Sequence, residues 1–125
     1  MTPDLRMDDL GSESLARLNR LAHQFLVHSF LYYRLGETLL TDAEFDRLAD
    51  ELRALRSQMP AAPMAHAQIV DPALGPEASG YRIKDYPPPI ITTAFQLLYQ
   101  HLHPPIAFPE FVERLGYRVH EQALV

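Results

Sequence analysis

The sequence predicts an all-α fold, a small helical domain built on an N-terminal helical hairpin, with a long proline-rich strap and two further short helices. Apolar residues recur at helical spacing on both sides of Gly36, which predicts two helices joined by a turn. Thr41 and Glu44 have the spacing of a capping box, which marks where the second helix begins. Most of the 11 prolines lie between residues 59 and 89, where neither a helical nor an alternating pattern persists.

Length and charge restrict the classes of protein. A chain of 125 residues can bury one hydrophobic core, so we expect a single domain. Cysteine is absent, which excludes disulfides, thiolate metal sites and cysteine nucleophiles. A formal net charge of −5 argues against independent binding of duplex DNA, which depends on clustered cations. No apolar run has the length of a signal peptide or a membrane span, so we expect a cytoplasmic protein without a membrane partner.

The first helix is expected to be the centre of the domain. Residues 1–11 are polar and acidic and are predicted to be a flexible lead-in. Ser12 can cap a helix that ends near Leu35, where Gly36 can adopt the left-handed conformation. Apolar residues cover most of the helix surface, which predicts burial on two sides. They are Leu15, Leu18, Leu21, Ala22, Phe25, Leu26, Val27, Phe30 and Leu31.

The second helix of the hairpin is predicted over about residues 42–58, between the capping box and Pro60. It carries one apolar stripe, which we expect to pack on the first helix. Residues 12–58 therefore form the predicted hairpin. The stripe consists of Phe45, Leu48, Leu52 and Leu55.

Residues 59–90 are predicted to be a strap that lies extended across the helices. The segment contains apolar residues such as Ile69 and Val70, so it is not a plain flexible linker. The sequence Tyr86-Pro87-Pro88-Pro89 favours polyproline II, a conformation with good docking surfaces. A loop of this length in a small domain is typical of a functional or partner-ordered segment.

Residues 91–125 are predicted to contain two helices that pack on the hairpin. Thr92 or Thr93 can cap the first of them, which ends before Pro104. The second has Pro109 in its first turn and ends at Gly116. The tail after Val119 has no assignment.

Aromatic and acidic residues of the hairpin follow a recognisable order. Leu31-Tyr32-Tyr33 is followed by Thr41-Asp42-Ala43-Glu44-Phe45-Asp46-Arg47-Leu48 and then by Glu51-Leu52-Arg53-Ala54-Leu55. This order resembles the N-terminal helical subdomain of bacterial NAD-dependent DNA ligases. In that family the subdomain precedes a nucleotidyltransferase domain and closes over the nicotinamide mononucleotide (NMN) half of NAD. The resemblance implies a helical fold and NAD or NMN as the cofactor.

The resemblance also implies roles for individual residues. Tyr32 matches a family tyrosine associated with the nicotinamide ring, and Asp42 and Asp46 match two family aspartates. Tyr33 stands where many members have histidine, which removes a phosphate contact. Phe45 stands where the family usually has tyrosine, which removes a hydroxyl donor. We therefore expect weaker or altered nucleotide binding.

The chemistry of the ligand agrees with these residue types. A cationic nicotinamide ring prefers an aromatic face, which Tyr32 and Tyr33 provide. A ribose diol prefers carboxylate acceptors, and a phosphate prefers a cation such as His28 or Arg34, or a helix N-terminus. Tyrosines at a helix end and aspartates in a first turn are also common as rim and capping residues, without any ligand. The predicted cofactor-binding residues are His28, Tyr32, Tyr33, Asp42, Phe45 and Asp46.

Catalytic and metal residues are not predicted. The ligase family forms a lysine-adenylate at a Lys-x-Asp-Gly motif, and the one lysine here, Lys84, is followed by Asp85-Tyr86 instead. We expect no DNA ligation by this chain alone. His101 and His103 are two residues apart at a helix end and point to different faces, which disfavours a metal site.

Three functions remain open from the sequence. The leading hypothesis is a separate ligase-like module, of a kind that phages and mobile elements carry, that binds a nicotinamide nucleotide or acts in trans on a nucleotidyltransferase or replication protein. The second is a small phage or mobile-element interaction module that uses the strap with the third predicted helix to bind a bacterial host or replication protein, with no nucleotide ligand. The third is an enzyme that consumes NAD, with Asp42 and Asp46 as an acid/base pair.

Overall fold

The structure is a computed structural model that describes residues 3–75 and 83–116, with only the backbone course for residues 3–10. Within these ranges the chain is all helical and contains no strand, as predicted. No helix in this part of the chain combines the length and apolar character needed to cross a membrane. The elements are α1 (Pro3–Phe30), a π-helical turn (Leu31–Leu35), α2 (Asp42–Gln58), α3 (Ala67–Ala73), α4 (Pro88–Leu102) and α5 (Phe108–Arg114).

Helix α1 runs through the middle of the fold and packs against both α2 and α4. Leu18, Phe25 and Leu26 on it have no exposed surface, which confirms that this helix is buried on two sides. Its start differs from the expectation. The helix begins at Pro3 and not at a cap on Ser12. Proline is favoured at the first helical position because the N–H it lacks has no partner within the helix.

The hairpin is the pair α1 and α2. Leu48 and Leu52 of α2 are buried against α1, and the Phe45 ring stacks on Phe25 with centroids 5.6 Å apart. Arg17 and Glu51 form an ion pair across the two helices at 3.1 Å, but both side chains are exposed and contribute little. Burial of the predicted apolar stripe therefore supplies most of the adhesion between the helices.

The first part of the strap is fastened to the hairpin by polar side chains. Asn19 of α1 donates to the Pro63 carbonyl at 3.1 Å and accepts from the Ala65 N–H at 2.8 Å. On α2, Arg56 binds both carboxylate oxygens of Asp71 at 2.9 and 3.0 Å. Such bidentate pairs fix geometry as well as charge.

The extended course predicted for residues 59–90 is wrong for residues 67–73, which form helix α3. Val70 and Ala73 of this helix are buried in the core. Asp71 lies on the opposite side and forms an ion pair with Arg56. The helix therefore buries its apolar side chains and pairs its charged one. Sequence periodicity over so few residues is too short to reveal a helix. Residues 76–82 of the strap lie outside the described ranges.

Helix α4 begins earlier than predicted. Pro87 is its N-cap with φ −60° and ψ 142°, and Pro88 and Pro89 form its first turn. The prediction that Thr92 or Thr93 caps this helix is therefore wrong. Pro87 has polyproline II geometry, as predicted, but Pro88 and Pro89 are helical. Proline lacks the N–H that a cap would satisfy. The two threonine hydroxyls donate instead to the carbonyls of Pro88 and Pro89.

The C-terminal helices end close to the predicted positions. Helix α4 ends at Leu102, before Pro104, and α5 ends at Arg114, two residues before Gly116. Tyr99 of α4 donates to the Ile106 carbonyl at 2.6 Å and packs edgewise on Phe108 and Phe111, which ties α5 to α4. The tail after Val119 lies outside the described residues.

Candidate functional site

A cavity of about 280 Å³ lies at the end of the hairpin where α1 passes into α2. All six residues predicted from the sequence to bind a cofactor line it. Its volume is slightly below the usual range for pockets that hold drug-sized ligands, about 300–1,000 Å³. The lining residues are His28, Tyr32, Tyr33, Glu37, Thr38, Leu39, Leu40, Asp42, Phe45 and Asp46.

The two tyrosines stand on the π-helical turn that follows α1. Gly36 closes this turn with φ 68° and donates its N–H to the Leu31 carbonyl, and the Glu37 N–H reaches the same oxygen at 2.9 Å. The rings of Tyr32 and Tyr33 meet edge to face with centroids 4.7 Å apart, and Tyr32 is 42% exposed. Because a π-turn is wider than an α-turn, it alters the direction of successive side chains, and such turns are frequent at functional sites.

The acidic residues come from the start of α2. The capping box fixes where that helix begins: the Thr41 hydroxyl accepts from the Glu44 N–H at 3.1 Å, and Glu44 accepts from the Thr41 N–H at 2.9 Å. These hydrogen bonds lower the pKa of the Glu44 carboxyl, which is engaged in the cap and is not part of the cavity lining. Asp42 and Asp46 lie one helical turn apart and are both exposed.

Phe45 supplies an apolar wall. Its ring is held in place by the stack on Phe25 of α1, at an interplanar angle of 23°. The wall therefore has a fixed orientation, unlike a ring that rotates freely at the surface.

His28 is the basic residue of the lining. It is half-buried on the last turn of α1, and burial lowers the pKa of its imidazole. The ring is therefore neutral at pH 7 and can serve as a hydrogen-bond donor or acceptor without adding charge.

Arg34 is not among the residues that line the cavity. The hypothesis that it supplies positive charge to the site is therefore wrong. Its guanidinium donates to the carbonyls of Ile83 and Lys84 at 2.9 and 2.8 Å and lies over the Tyr86 ring, 5.9 Å from its centroid. Two strap carbonyls and an aromatic face thus hold the cation on the other side of the π-turn. Tyr86 is itself buried and packs edgewise on Phe30, and burial raises the pKa of its phenol.

Four lining residues were not predicted: Glu37, Thr38, Leu39 and Leu40. They form the loop between Gly36 and Thr41. A loop this short that joins two predicted site segments must pass beside the site, and that signal was available in the sequence. Glu37 matters most chemically because it adds a third carboxylate to those of Asp42 and Asp46.

Among the described residues, no group of three or more histidine, cysteine, aspartate or glutamate side chains is placed so that it could hold a metal ion. His101 and His103 both lie at the exposed end of α4.

Residues 11–66 match the family model described as "DNA ligase-like, N-terminal NAD+-binding domain". The chain is 39% identical over 49 residues to a DNA ligase of Methylococcus capsulatus and 41% identical over 54 residues to one of Cellvibrio japonicus. A DNA ligase of Desulforamulus reducens is 37% identical over 54 residues. These alignments confirm the resemblance seen in the sequence.

The alignments have a limited extent. They include 39–43% of this chain and only 7–8% of each of these ligases. No solved structure matches the chain. Residues 11–66, which match the family model, contain α2, the π-turn, most of α1 and every lining residue of the cavity.

The π-turn requires glycine at position 36. Substitution Gly36→Ala introduces no clash but forces a Cβ into the left-handed region, so we expect a loss of about 1 kcal/mol in the free energy of unfolding. Gly11→Ala is the matched control, since it lies inside α1 in open space and is expected to stabilise by about 0.5–1 kcal/mol. Urea unfolding measures both. Equal effects of the two changes would contradict the assigned left-handed turn.

His28 is expected to make stability depend on pH. Burial holds its pKa in the folded state below the unfolded value. Above the unfolded pKa both states are neutral and nothing is lost. As the pH falls through the window between the two values, the unfolded state takes up a proton first, so stability decreases. Urea unfolding of the wild type at pH 7.5 and 5.5 should therefore show a larger loss than the same comparison for His28→Gln.

The remaining histidines are present in both proteins and cancel in that comparison. Identical losses in the wild type and the variant would show that His28 titrates alike in the folded and unfolded states.

Proposed function

We propose that this chain, whose residues 11–66 are related to the N-terminal NAD+-binding domain of DNA ligases, binds the nicotinamide nucleoside part of NAD or NMN. One observation carries the proposal. The aromatic and acidic residues that follow the ligase pattern line a single cavity at the end of the hairpin. A cavity of about 280 Å³ suits a nucleoside better than a whole dinucleotide, so the rest of NAD extends into solvent or toward a partner.

The nicotinamide ring is assigned to the tyrosines. A cation over an aromatic face gains about 0.5–2 kcal/mol, with the larger value where water is excluded. Tyr32 is the better placed of the two because it is 42% exposed, so a nicotinamide ring stacked on it would remove apolar surface from water. The edge contact with Tyr33 limits the freedom of the platform before binding.

The ribose is assigned to the start of α2. Ionised carboxylates accept hydrogen bonds from hydroxyl groups, and such bonds are stronger than those between neutral groups. Asp42 and Asp46, spaced one turn apart, can accept from the two hydroxyls of a diol. The capping box keeps both side chains at the cavity edge because it fixes the first turn of the helix.

In this proposal the chain binds and does not catalyse. The Lys-x-Asp-Gly motif that carries the adenylate in the ligase family does not occur in the sequence. Lys84 is exposed on the strap and lies outside the cavity lining. The chain would then cover the active site of a separate nucleotidyltransferase in trans, as the resemblance implies for the ligase subdomain within its own chain.

The rival function, a protein-interaction module that uses the strap, stays a prediction. The surfaces that it would use are partly occupied within the molecule. Tyr86 is buried, and Arg34, Arg53 and Arg56 hold the described strap segments against the helices through backbone carbonyls. No contact in the described residues favours this function over nucleotide binding.

Calorimetric titration with NMN and with NAD tests the proposal. We expect binding of both ligands at millimolar concentration or below, and a decrease in affinity of about tenfold for Tyr32→Ala and for Asp46→Asn. Asp85→Asn is the matched control, since it removes an exposed carboxylate outside the cavity and should leave the affinity unchanged.

The absence of heat from the intact protein at millimolar NMN would refute nucleotide binding. Equal losses for Asp46→Asn and Asp85→Asn would remove the assigned role of the α2 carboxylates.

A further inference from the structure

We infer that Arg34 is a positioning residue for the cavity: it fastens residues 83–86 of the strap to the π-turn and so fixes the rings of Tyr32 and Tyr33 before a ligand binds. The strap is then a functional part of the site, although residues 83–86 lie outside the matched residues 11–66. The effect on ligand affinity rests on the proposed function, because it concerns the same cavity. The effect on the turn itself needs no ligand.

Arg34 connects the turn to a distant part of the chain. It follows the two tyrosines directly within the π-turn Leu31–Leu35. Its Nη2 donates to the carbonyls of Ile83 and Lys84 at 2.9 and 2.8 Å, and Ile83 stands 49 residues later in the chain. Hydrogen bonds from a charged donor are stronger than those between neutral groups. The strap backbone is therefore held at the turn by a charged side chain.

The strap also contacts the start of the turn. Tyr86 packs edge to face on Phe30, the N-cap of the π-turn, with ring centroids 5.2 Å apart. The Arg34 guanidinium lies 5.9 Å from the centroid of the same ring. Tyr86 thus contacts residues that come before and after the two cavity tyrosines. Because Tyr86 and Ile83 are both buried, this part of the strap is anchored in the core.

Electrostatics place the strap ring near a cavity residue as well. Burial raises the pKa of the Tyr86 phenol, the Arg34 guanidinium lowers this pKa, and the Tyr33 phenol raises it. Tyr33 therefore lies within electrostatic range of Tyr86 on the strap and also lines the cavity, where its ring meets that of Tyr32. The contacts run without a gap from the strap to the proposed nicotinamide platform.

The conformation of the turn explains why such support affects binding. A single π-helical turn is rare, and α-helical geometry competes with it. A change to α-helical geometry would rotate Tyr32 and Tyr33 relative to the start of α2, where Asp42 and Asp46 lie. Groups that are held in place before binding reduce the ordering cost of binding. Affinity therefore falls with the fraction of molecules in which the turn is formed.

Amide hydrogen exchange of the free protein tests the effect on the turn. The N–H groups of Gly36 and Glu37 both donate to the Leu31 carbonyl and report whether the turn is closed. Arg34→Met keeps the apolar stem and removes the guanidinium. We expect severalfold faster exchange at these two amides in this variant. The amide of Phe25, in the buried part of α1, should change no more than urea unfolding accounts for.

Calorimetric titration with NMN tests the effect on the cavity. We expect Arg34→Met to bind NMN about three- to tenfold more weakly than the wild type, although Arg34 does not line the cavity. A purely structural role would lower the free energy of unfolding and leave the affinity of the folded protein unchanged.

Arg53→Met is the matched control. Arg53 also donates to a strap carbonyl, that of Leu74 at 3.2 Å, but it lies on α2 about two helical turns beyond Asp46. Its substitution removes the same charge and a contact of the same kind, away from the π-turn. We expect wild-type NMN affinity and wild-type exchange at Gly36 and Glu37.

Each outcome decides one part of the inference. Unchanged exchange at Gly36 and Glu37 in folded Arg34→Met would overturn the support of the turn by the strap. Faster exchange with unchanged NMN affinity would overturn the positioning role. Equal losses of affinity in Arg34→Met and Arg53→Met would show an effect of charge alone and would also overturn it. Absence of NMN binding by the wild type would overturn the proposed function, while the exchange rates still decide whether the strap fixes the turn.

Discussion

The packing of α2 on α1 through Phe25 and Phe45 is the contact on which the rest of the structure depends. Phe25 is fully buried in the central helix, and the ring of Phe45 stacks on it. This stack sets the separation of the two helices at the point where the cavity opens. It also gives the cavity an apolar wall of fixed orientation, on which the polar residues of the loop and of α2 are arranged.

The π-helical turn brings side chains from three segments together at the end of the packed pair α1 and α2. A helix that simply ended at Phe30 would leave the next residues free to leave the bundle in any direction. Here Gly36 closes a wide turn onto the Leu31 carbonyl, and the chain passes through Glu37 directly to the capping box of α2. Side chains from the turn, the loop and the second helix therefore meet in a space of about 280 Å³. The strap supports the turn from the far side through Arg34, whose guanidinium is bound to two strap carbonyls.

Short sequence signals were enough to predict the hairpin and most of the residues that line the cavity. The capping box and the glycine stop are short sequence signals with one physical meaning each, and both occur in the structure where the sequence placed them. Five of the six predicted residues that line the cavity stand in the ligase pattern, on both sides of the turn, and His28 was named for its possible positive charge. Their convergence follows from the antiparallel hairpin, which any turn of that length would produce.

The parts that escaped prediction depend on contacts distant in sequence. Helix α3 is too short to show periodicity and is stabilised by the burial of Val70 and by the pair of Asp71 with Arg56 of α2. The direction of Arg34 depends on strap carbonyls about fifty residues later in the chain. Glu37 lay in a loop to which no motif assigned a function. The first turn of α4 was missed because prolines were taken as extended chain, although they suit a helix start equally well.

The central claim is that a nicotinamide nucleoside occupies the cavity between the π-turn and the start of α2. Backbone amide chemical shifts in an NMR titration with nicotinamide riboside test it most directly, because they report the location of binding without a substitution. The account predicts saturable shifts concentrated in residues 28–46, with small changes in α4 and α5. Shifts centred on α4 or α5, or none at millimolar ligand, would contradict it.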